Sequence, residues 1–250
     1  MHLIESVILP IDLYDDVVVK KNGTDIINLR YTNRSGLYDN DTALKAARII
    51  KDEYRTEGVD IEILKRIPER AGLGGSSADA AAVARCMASI FSLDVDPKIL
   101  LKVGSDVPAM FIDKPCVVGG KGEDVTVINN VKYPNVVLLL IEGGVDTALC
   151  YARYDEIGGE GGEIKDVVDA IISGRNFTPH NALTDAAISL NNAIGEGLSI
   201  LKEYFSCGMT GSGSAIFGIE YDDAEFARKL DLLKERVGER YEIITLSKER

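Results

Sequence analysis

The sequence predicts an α+β fold, with strands and helices in two layers rather than the regular alternation of a doubly wound βαβ sheet. Three observations support this. Short apolar runs of strand type occupy the first third. Stretches with helical spacing interrupt them at irregular intervals. Both kinds recur in mixed order to the C-terminus. The length of 250 residues allows one large domain or two small fused ones, with a second half expected to begin near Asn135.

Leu3, Ile4, Val7, Ile8, Leu9 and Ile11 read as strand, followed by a polar turn at 12–16 and Val17-Val18-Val19. Lys20-Lys21-Asn22-Gly23 reads as a hairpin turn leading to Ile26-Ile27-Asn28-Leu29. Residues 41–54 carry Ala43, Ala46, Ala47 and Ile50 on one helical face, and 59–63 alternates as a half-buried strand. A helix is expected from Ser76 to about Phe91, with Ala78, Ala81, Ala82 and Arg85 forming a face that packs near a sheet. A short helix at 97–103 and strands near 116–118 and 124–128 follow. The apolar run 136–141 reads as a strand buried on both faces. Helices are expected at 147–154, 164–173, 181–193 and 196–204. A glycine-rich turn, a strand at 215–220, a helix at 223–235 and a strand at 241–246 complete the chain.

The formal net charge of −12 argues against a nucleic-acid partner and against an anionic membrane surface. Cys86, Cys116, Cys150 and Cys207 form no Cys-x-x-Cys pair and there are two histidines, so a zinc centre is not expected. Free thiols of this kind suit a reducing cytoplasm. No basic segment followed by an apolar stretch opens the sequence, and no apolar run reaches membrane-spanning length.

The most informative segment is Pro68-Glu69-Arg70-Ala71-Gly72-Leu73-Gly74-Gly75-Ser76-Ser77-Ala78-Asp79. It lies between a strand and an alanine-rich helix. Glycines let the backbone take positive φ and approach a ligand closely. The first amides of a helix lack partners and carry the positive end of its dipole, which makes a seat for phosphate. Ser76 and Ser77 add hydroxyls suited to phosphate oxygens, and Ser76 to a magnesium ion. Helix capping alone would also explain serines here, and the two readings are compatible. The spacing fits neither a Walker loop nor a dinucleotide fingerprint.

Two further motifs follow in order: Gly104-Ser105-Asp106-Val107-Pro108, and Gly208-Met209-Thr210-Gly211-Ser212-Gly213-Ser214-Ala215. With the glycine loop they resemble the GHMP kinase superfamily. Gly-Ser-Asp-Val-Pro, His2-Leu3-Ile4-Glu5-Ser6-Val7, Gly119-Gly120-Lys121-Gly122-Glu123, Gly144-Val145-Asp146-Thr147-Ala148-Leu149-Cys150-Tyr151 and His180-Asn181-Ala182-Leu183 resemble one branch of it. That branch phosphorylates the 2-hydroxyl of a CDP-linked methylerythritol in non-mevalonate isoprenoid biosynthesis. The resemblance implies the GHMP kinase fold. Residues 1–134 would form an ATP-binding part like ribosomal protein S5 domain 2, and 135–250 a ferredoxin-like part, with ligands in the cleft between them. It implies ATP and Mg2+ as cofactors, a small-molecule substrate, a cytoplasmic enzyme, and a monomer or homodimer.

By the same resemblance, Asp106 lies beside the acceptor hydroxyl; a structural reading would make it the cap of the next turn. Gly72, Leu73, Gly74, Gly75, Ser76 and Ser77 hold the ATP phosphates, and Asp41 lies near the adenine where the family often has Asn. His2 and Tyr151 match the cytidine site. Thr147 faces a substrate phosphate or caps its own helix. Gly211 and Ser212 line the cleft or simply turn the chain between strands. Gly119, Gly120 and Gly122 read as a β-turn, and Asn181 as a brace for backbone. The family's chain normally starts with a strand containing Pro-Ala-Lys-Ile-Asn-Leu, whose Lys sits near the transferred phosphate. The sequence here starts at Met1-His2, and the expectation is a truncated sequence. The competing expectations are a GHMP kinase for another small alcohol, such as homoserine or a sugar, and a nucleotide binder weakened by loss of that Lys.

Overall fold

The computed structural model describes residues 3–33, 40–159 and 161–246. The chain divides into two compact units, 1–67 with 74–128, and 68–73 with 129–250.

The first unit holds two three-stranded sheets. Strand β1 (Ser6–Ile8) pairs with β5 (Cys116–Gly119), which pairs with β6 (Asp124–Val127), all antiparallel. In the other sheet β4 (Val59–Leu64) lies between β2 (Asp16–Lys21) and β3 (Asn28–Tyr31). β2 pairs with it antiparallel and β3 parallel. The hairpin expected at 20–23 is therefore not a β-hairpin. The chain does turn there, with Gly23 at φ 68°, but β4 enters between the two strands. Its inward residues Val59, Ile61 and Ile63 are fully buried, which favours the centre of the sheet. Gly58 permits the insertion, since a Cβ there would stand 2.0 Å from the Ile26 carbonyl oxygen.

Helices α1 (Thr42–Tyr54) and α2 (Gly75–Phe91) cover that sheet. α1 buries Ala43, Ala46, Ala47 and Ile50, as its spacing predicts. The buried stripe of α2 is displaced from the expected one. It runs through Ala80, Ala81, Val83, Ala84 and Met87, while Ala78, Ala82 and Arg85 are only half-buried. Small side chains let α1 and α2 approach closely over a core of Ile50, Ile61, Ile63 and Met87. A short 3-10 helix (Pro97–Lys102) and α3 (Val107–Ile112) complete the unit.

The second unit is built on one antiparallel sheet. Its strands are β7 (Asn135–Leu140), β8 (Ser206–Met209), β9 (Ile216–Glu220) and β10 (Glu242–Leu246), in the order β10-β7-β9-β8. Numbered within the sheet this is fourth, first, third, second, the order of a ferredoxin-like βαββαβ layer. β7 is buried along most of its length, as its apolar run requires. Helices α4 (Thr147–Ile157), α5 (Ile164–Ser173), α6 (Thr184–Leu190), α7 (Ala193–Leu201) and α8 (Asp223–Val237) accompany it. The helix expected at 181–193 is shorter, starting at Thr184 and ending at Leu190. Asn191 leaves helical geometry at φ −144° and its side chain bonds the carbonyl of Glu142. The core packs Leu139, Ile194, Leu201, Ile216 and Leu233.

Candidate active site

The strand-loop-helix reading of 59–91 holds: β4 leads into the glycine loop and α2 leaves it. Gly74 is the N-cap of α2, at φ 70°, and no side chain bonds the helix start. The first helical hydrogen bond runs from the Ala78 amide to the Gly74 carbonyl, 2.9 Å. The amides ahead of it have no helical acceptor. Ser76 is exposed and Ser77 half-buried. The Thr42 hydroxyl donates to the Ser76 carbonyl at 2.7 Å, which fixes the first turn of α2 against the start of α1.

α3 packs beside this helix start. Asp106 is its N-cap residue, yet makes no capping bond with its side chain. The structural reading of Asp106 as a side-chain cap therefore fails. Asp106 is exposed as a residue, and its carboxylate accepts no hydrogen bond among the described residues. The surrounding protein nevertheless pushes its pKa above the usual carboxylate range by desolvation. Met110 is four residues on, on the same face of α3. A Cβ on Gly74 would stand 2.2 Å from the Met110 methyl. The face that carries Asp106 is thus the face against the glycine entry of α2. The β5–β6 turn supports this segment, since a Cβ on Gly122 would stand 2.1 Å from the Ser105 carbonyl oxygen. Gly119, Gly120 and Gly122 belong to that turn.

Below the glycine loop lies a buried ionic cluster that the sequence reading missed. Lys65 pairs with both Asp15 and Asp79, the latter at 2.7 Å. Asp15 also accepts the amides of Arg66 (2.5 Å) and Ile67 (2.8 Å). Burial pushes the Asp79 carboxyl up to about 7, against the pull of Lys65. Burial acts the same way on Asp15, but Lys65 and the two amides outweigh it and hold that carboxyl below its ordinary value. Nothing local marked Asp15 or Lys65; they lie fifty residues apart in the sequence.

Asp41 is the N-cap of α1 and is buried. It accepts from the amides of Ala43 (3.0 Å) and Leu44 (3.1 Å) and from the Tyr31 hydroxyl (2.7 Å). Its side chain is committed to protein groups.

In the second unit the crown of the glycine loop, 68–73, interlocks with the β8–β9 connection. The Thr210 hydroxyl donates to the Gly72 carbonyl at 2.9 Å, and the Ala215 amide to the Ala71 carbonyl at 3.0 Å. A Cβ on Gly72 would stand 2.2 Å from the Thr210 carbonyl oxygen, and one on Gly211 would stand 2.7 Å from that of Gly72. The third motif is thus both a strand-to-strand turn and the packing partner of the crown. Asn181 braces it, donating to the carbonyls of Met209 (2.9 Å) and Gly211 (2.8 Å). Ser212 is buried and bonds Thr147 at 2.8 Å. Thr147 does not cap its helix; Asp146 does, accepting from the Leu149 amide at 3.0 Å. Tyr151 stands one turn further along α4, half-buried. His2 lies outside the described residues. A cavity of about 560 Å³ in this unit is bordered by Arg70, Ala71, Gly143, Gly144 and Ser214; it does not include Thr147, Tyr151 or Ser212.

Among the described residues no group of three or more His, Cys, Asp or Glu side chains could hold a metal ion, and no helix is long and apolar enough to cross a membrane. A helix entered through glycine, with no side chain on its first amides, is suited to binding an anion. Residues 41–126 match the family model described as the GHMP kinases N terminal domain. The chain belongs to the GHMP kinase family of ATP-dependent small-molecule kinases, whose enzymes use ATP and Mg2+. Over 244 residues it is 32% identical to the 4-diphosphocytidyl-2-C-methyl-D-erythritol kinase of Clostridium acetobutylicum, covering 91% of this chain and 85% of that one. A crystal structure of 4-(cytidine 5'-diphospho)-2C-methyl-D-erythritol kinase superposes with a TM-score of 0.77 at 25% identity, covering 98% of this chain and 90% of that one. The homoserine kinase of Cytophaga hutchinsonii shares the fold, with a TM-score of 0.68 at 12% identity over 93% of this chain and 85% of that one.

Proposed function

We propose that this kinase transfers the γ-phosphoryl group of ATP to the 2-hydroxyl of 4-(cytidine 5'-diphospho)-2-C-methyl-D-erythritol, a step of non-mevalonate isoprenoid precursor synthesis. The single observation that carries the chemistry is the uncommitted Asp106 carboxylate on the α3 face that meets Gly74. The relatives' names carry the choice of substrate.

Phosphoryl transfer needs positioning and charge neutralisation more than covalent chemistry. The free amides of α2 and the hydroxyls of Ser76 and Ser77 hold the phosphates, with Gly72, Leu73, Gly74 and Gly75 giving close backbone approach. The acceptor oxygen bonds the γ-phosphorus as the bond to the β–γ bridging oxygen breaks, and ADP leaves. Asp106 takes the hydroxyl proton. Its raised pKa favours that uptake, and its position orients the attacking oxygen. Magnesium is usually held by substrate phosphates with one or two protein oxygens. The exposed Ser76 hydroxyl suits that role, and Mg2+ would neutralise phosphate charge there.

Residues 1–134 are read as the ATP-binding N-terminal domain, with Asp41 at the adenine end through its cap of α1, and 135–250 as the C-terminal domain of the kinase. Tyr151 stacks on the cytosine, His2 reads its polar edge, and Thr147 with Gly211 and Ser212 faces the diphosphate.

ADP release is measured with ATP, magnesium and a panel of alcohols. The expected result is turnover with the CDP-linked alcohol and none with homoserine or sugars. Turnover with homoserine instead would overturn the substrate assignment. ATP binding without turnover of any alcohol would favour a nucleotide binder.

A further inference from the structure

The glycine loop has two feet in the first unit. One is the end of β4 with Lys65, Arg66 and Ile67; the other is the first turns of α2, from Gly75 to Asp79. Ile67 and Lys65 lie directly against the second foot. A Cβ on Gly75 would stand 3.1 Å from the Ile67 Cγ2 and 3.4 Å from the Lys65 Nζ. The Lys65 ammonium then joins Asp79 on the helix to Asp15 ahead of β2. Asp15 in turn holds the amides of Arg66 and Ile67. Lys65 and both carboxylates are nearly buried, with side-chain exposures of 11% and 3%. The second Asp79 oxygen is buried with no partner among the described residues. The other Asp79 oxygen takes the Lys65 ammonium at 2.7 Å.

We propose that Lys65, held between Asp15 and Asp79, is a positioning residue for the ATP phosphates, clamping the two feet of the glycine loop so that the free amides of α2 keep one direction. This rests on the reading of 72–77 as the phosphate seat. A helix entered through glycine has no side-chain cap to set its start, and φ and ψ of glycine are loosely restrained. The clamp supplies from below what a cap supplies elsewhere. Misdirected amides lose phosphate affinity while leaving the acceptor site unaltered.

The test compares ATP KM, acceptor KM and thermal midpoint for Lys65→Arg, Asp79→Asn and the double variant Lys65→Met/Asp79→Leu. The double variant removes one charge of each sign and leaves Asp15 with the amides of Arg66 and Ile67 as its partners. The double variant is expected to raise ATP KM about tenfold or more, with acceptor KM within about twofold of the unaltered chain. Asp79→Asn keeps an acceptor for Lys65 without its charge, and should give a smaller rise of the same kind. Lys65→Arg keeps the cation and should recover most of the ATP affinity. A folded double variant with unaltered ATP KM overturns the proposal. If the double variant does not fold, an Asp79→Asn protein with a lowered thermal midpoint but unaltered ATP KM overturns it equally. Ser76→Ala is measured alongside. If Ser76→Ala also leaves ATP KM unmoved, the phosphate seat itself is misassigned; if only the clamp variants leave it unmoved, the clamp alone is wrong.

Discussion

Helices α1 and α2 lie side by side in the first unit and begin in opposite ways. α1 starts from Asp41, whose buried carboxylate takes two amides of the first turn and a tyrosine hydroxyl. α2 starts from Gly74, in left-handed geometry, with no side chain on its amides. Both starts face the same requirement, since the first amides of any helix lack acceptors. α1 meets it internally and closes its terminus. α2 leaves it unmet, and the cost of an unsatisfied terminus is offset when an anion binds. Of two neighbouring helix ends, the one without its own acceptor is the one suited to a ligand.

α3 sharpens the contrast, because its N-cap residue is an aspartate that does not cap. If Asp106 is free in order to take a proton, Asp106→Asn should lower kcat by about a hundredfold to ten-thousandfold. ATP KM should change little. Steady-state kinetics with both substrates varied separates the two, and a variant with normal turnover would return Asp106 to a structural role.

Two buried carboxylates should also answer to pH, with opposite signs. Glu220 is buried, and burial alone would raise its pKa. Lys229 at 2.5 Å, Asn176 at 2.9 Å and the Asp222 amide outweigh burial and bring it to about 2. A carboxyl with a lowered folded pKa stabilises the protein above its unfolded pKa and loses that contribution as the pH falls through the folded one. Denaturant titrations of the whole chain between about pH 5 and pH 2 should therefore lose on the order of 2–3 kcal/mol through this residue, and Glu220→Gln should flatten that slope. Asp79 has the opposite sign. Raised to about 7, it favours the folded state below its unfolded pKa and loses that contribution as the pH rises through neutrality. Asp79→Asn should remove the loss.

Much of this was legible in the sequence because it is local. The glycine run, its two serines and the alanines that follow announce a strand, an open turn and a helix within thirty residues, and the structure follows them in kind while burying a different face of the helix. The order of the sheet around β4 was not legible. Lys20-Lys21-Asn22-Gly23 signals a reversal of the chain, but which strand fills the gap depends on how deeply Val59, Ile61 and Ile63 can be buried. The interlock of Gly72 with Thr210 was hidden for a similar reason. It joins residues 138 apart, and only the positive φ and the missing Cβ at each glycine record it. α3 went unread because six residues that include a proline carry too little periodicity to register as a helix.

The crown of the loop offers the next test of whether shape alone holds it. Gly72 has φ 71° and no room for a Cβ against the Thr210 carbonyl. Gly72→Ala should cost about 1–3 kcal/mol in strain and raise ATP KM. Thr210→Val removes one hydrogen bond and should cost about 1 kcal/mol. Equal effects of the two would mean that the hydrogen bond, not the close approach, sets the crown.

The smallest effect bears directly on the two helix starts. Asp41→Ala opens the terminus of α1, and an aspartate cap contributes about 0.5–2 kcal/mol. Loss of its hydrogen bond from Tyr31 adds to that, because the phenol then needs another acceptor. Asp41→Asn keeps an oxygen for the amides of Ala43 and Leu44 and should retain most of the stability. The converse substitution, Gly74→Asp, would give α2 an acceptor for its own amides. It would be strained at φ 70° and would crowd the Met110 methyl. A side-chain carboxylate there competes with phosphate for the same donors, so ATP KM should rise even where the helix start is otherwise intact. If Asp41→Ala raised ATP KM as much as Gly74→Asp does, the closed terminus would be as much a part of the nucleotide site as the open one, and the distinction between the two helices would fail.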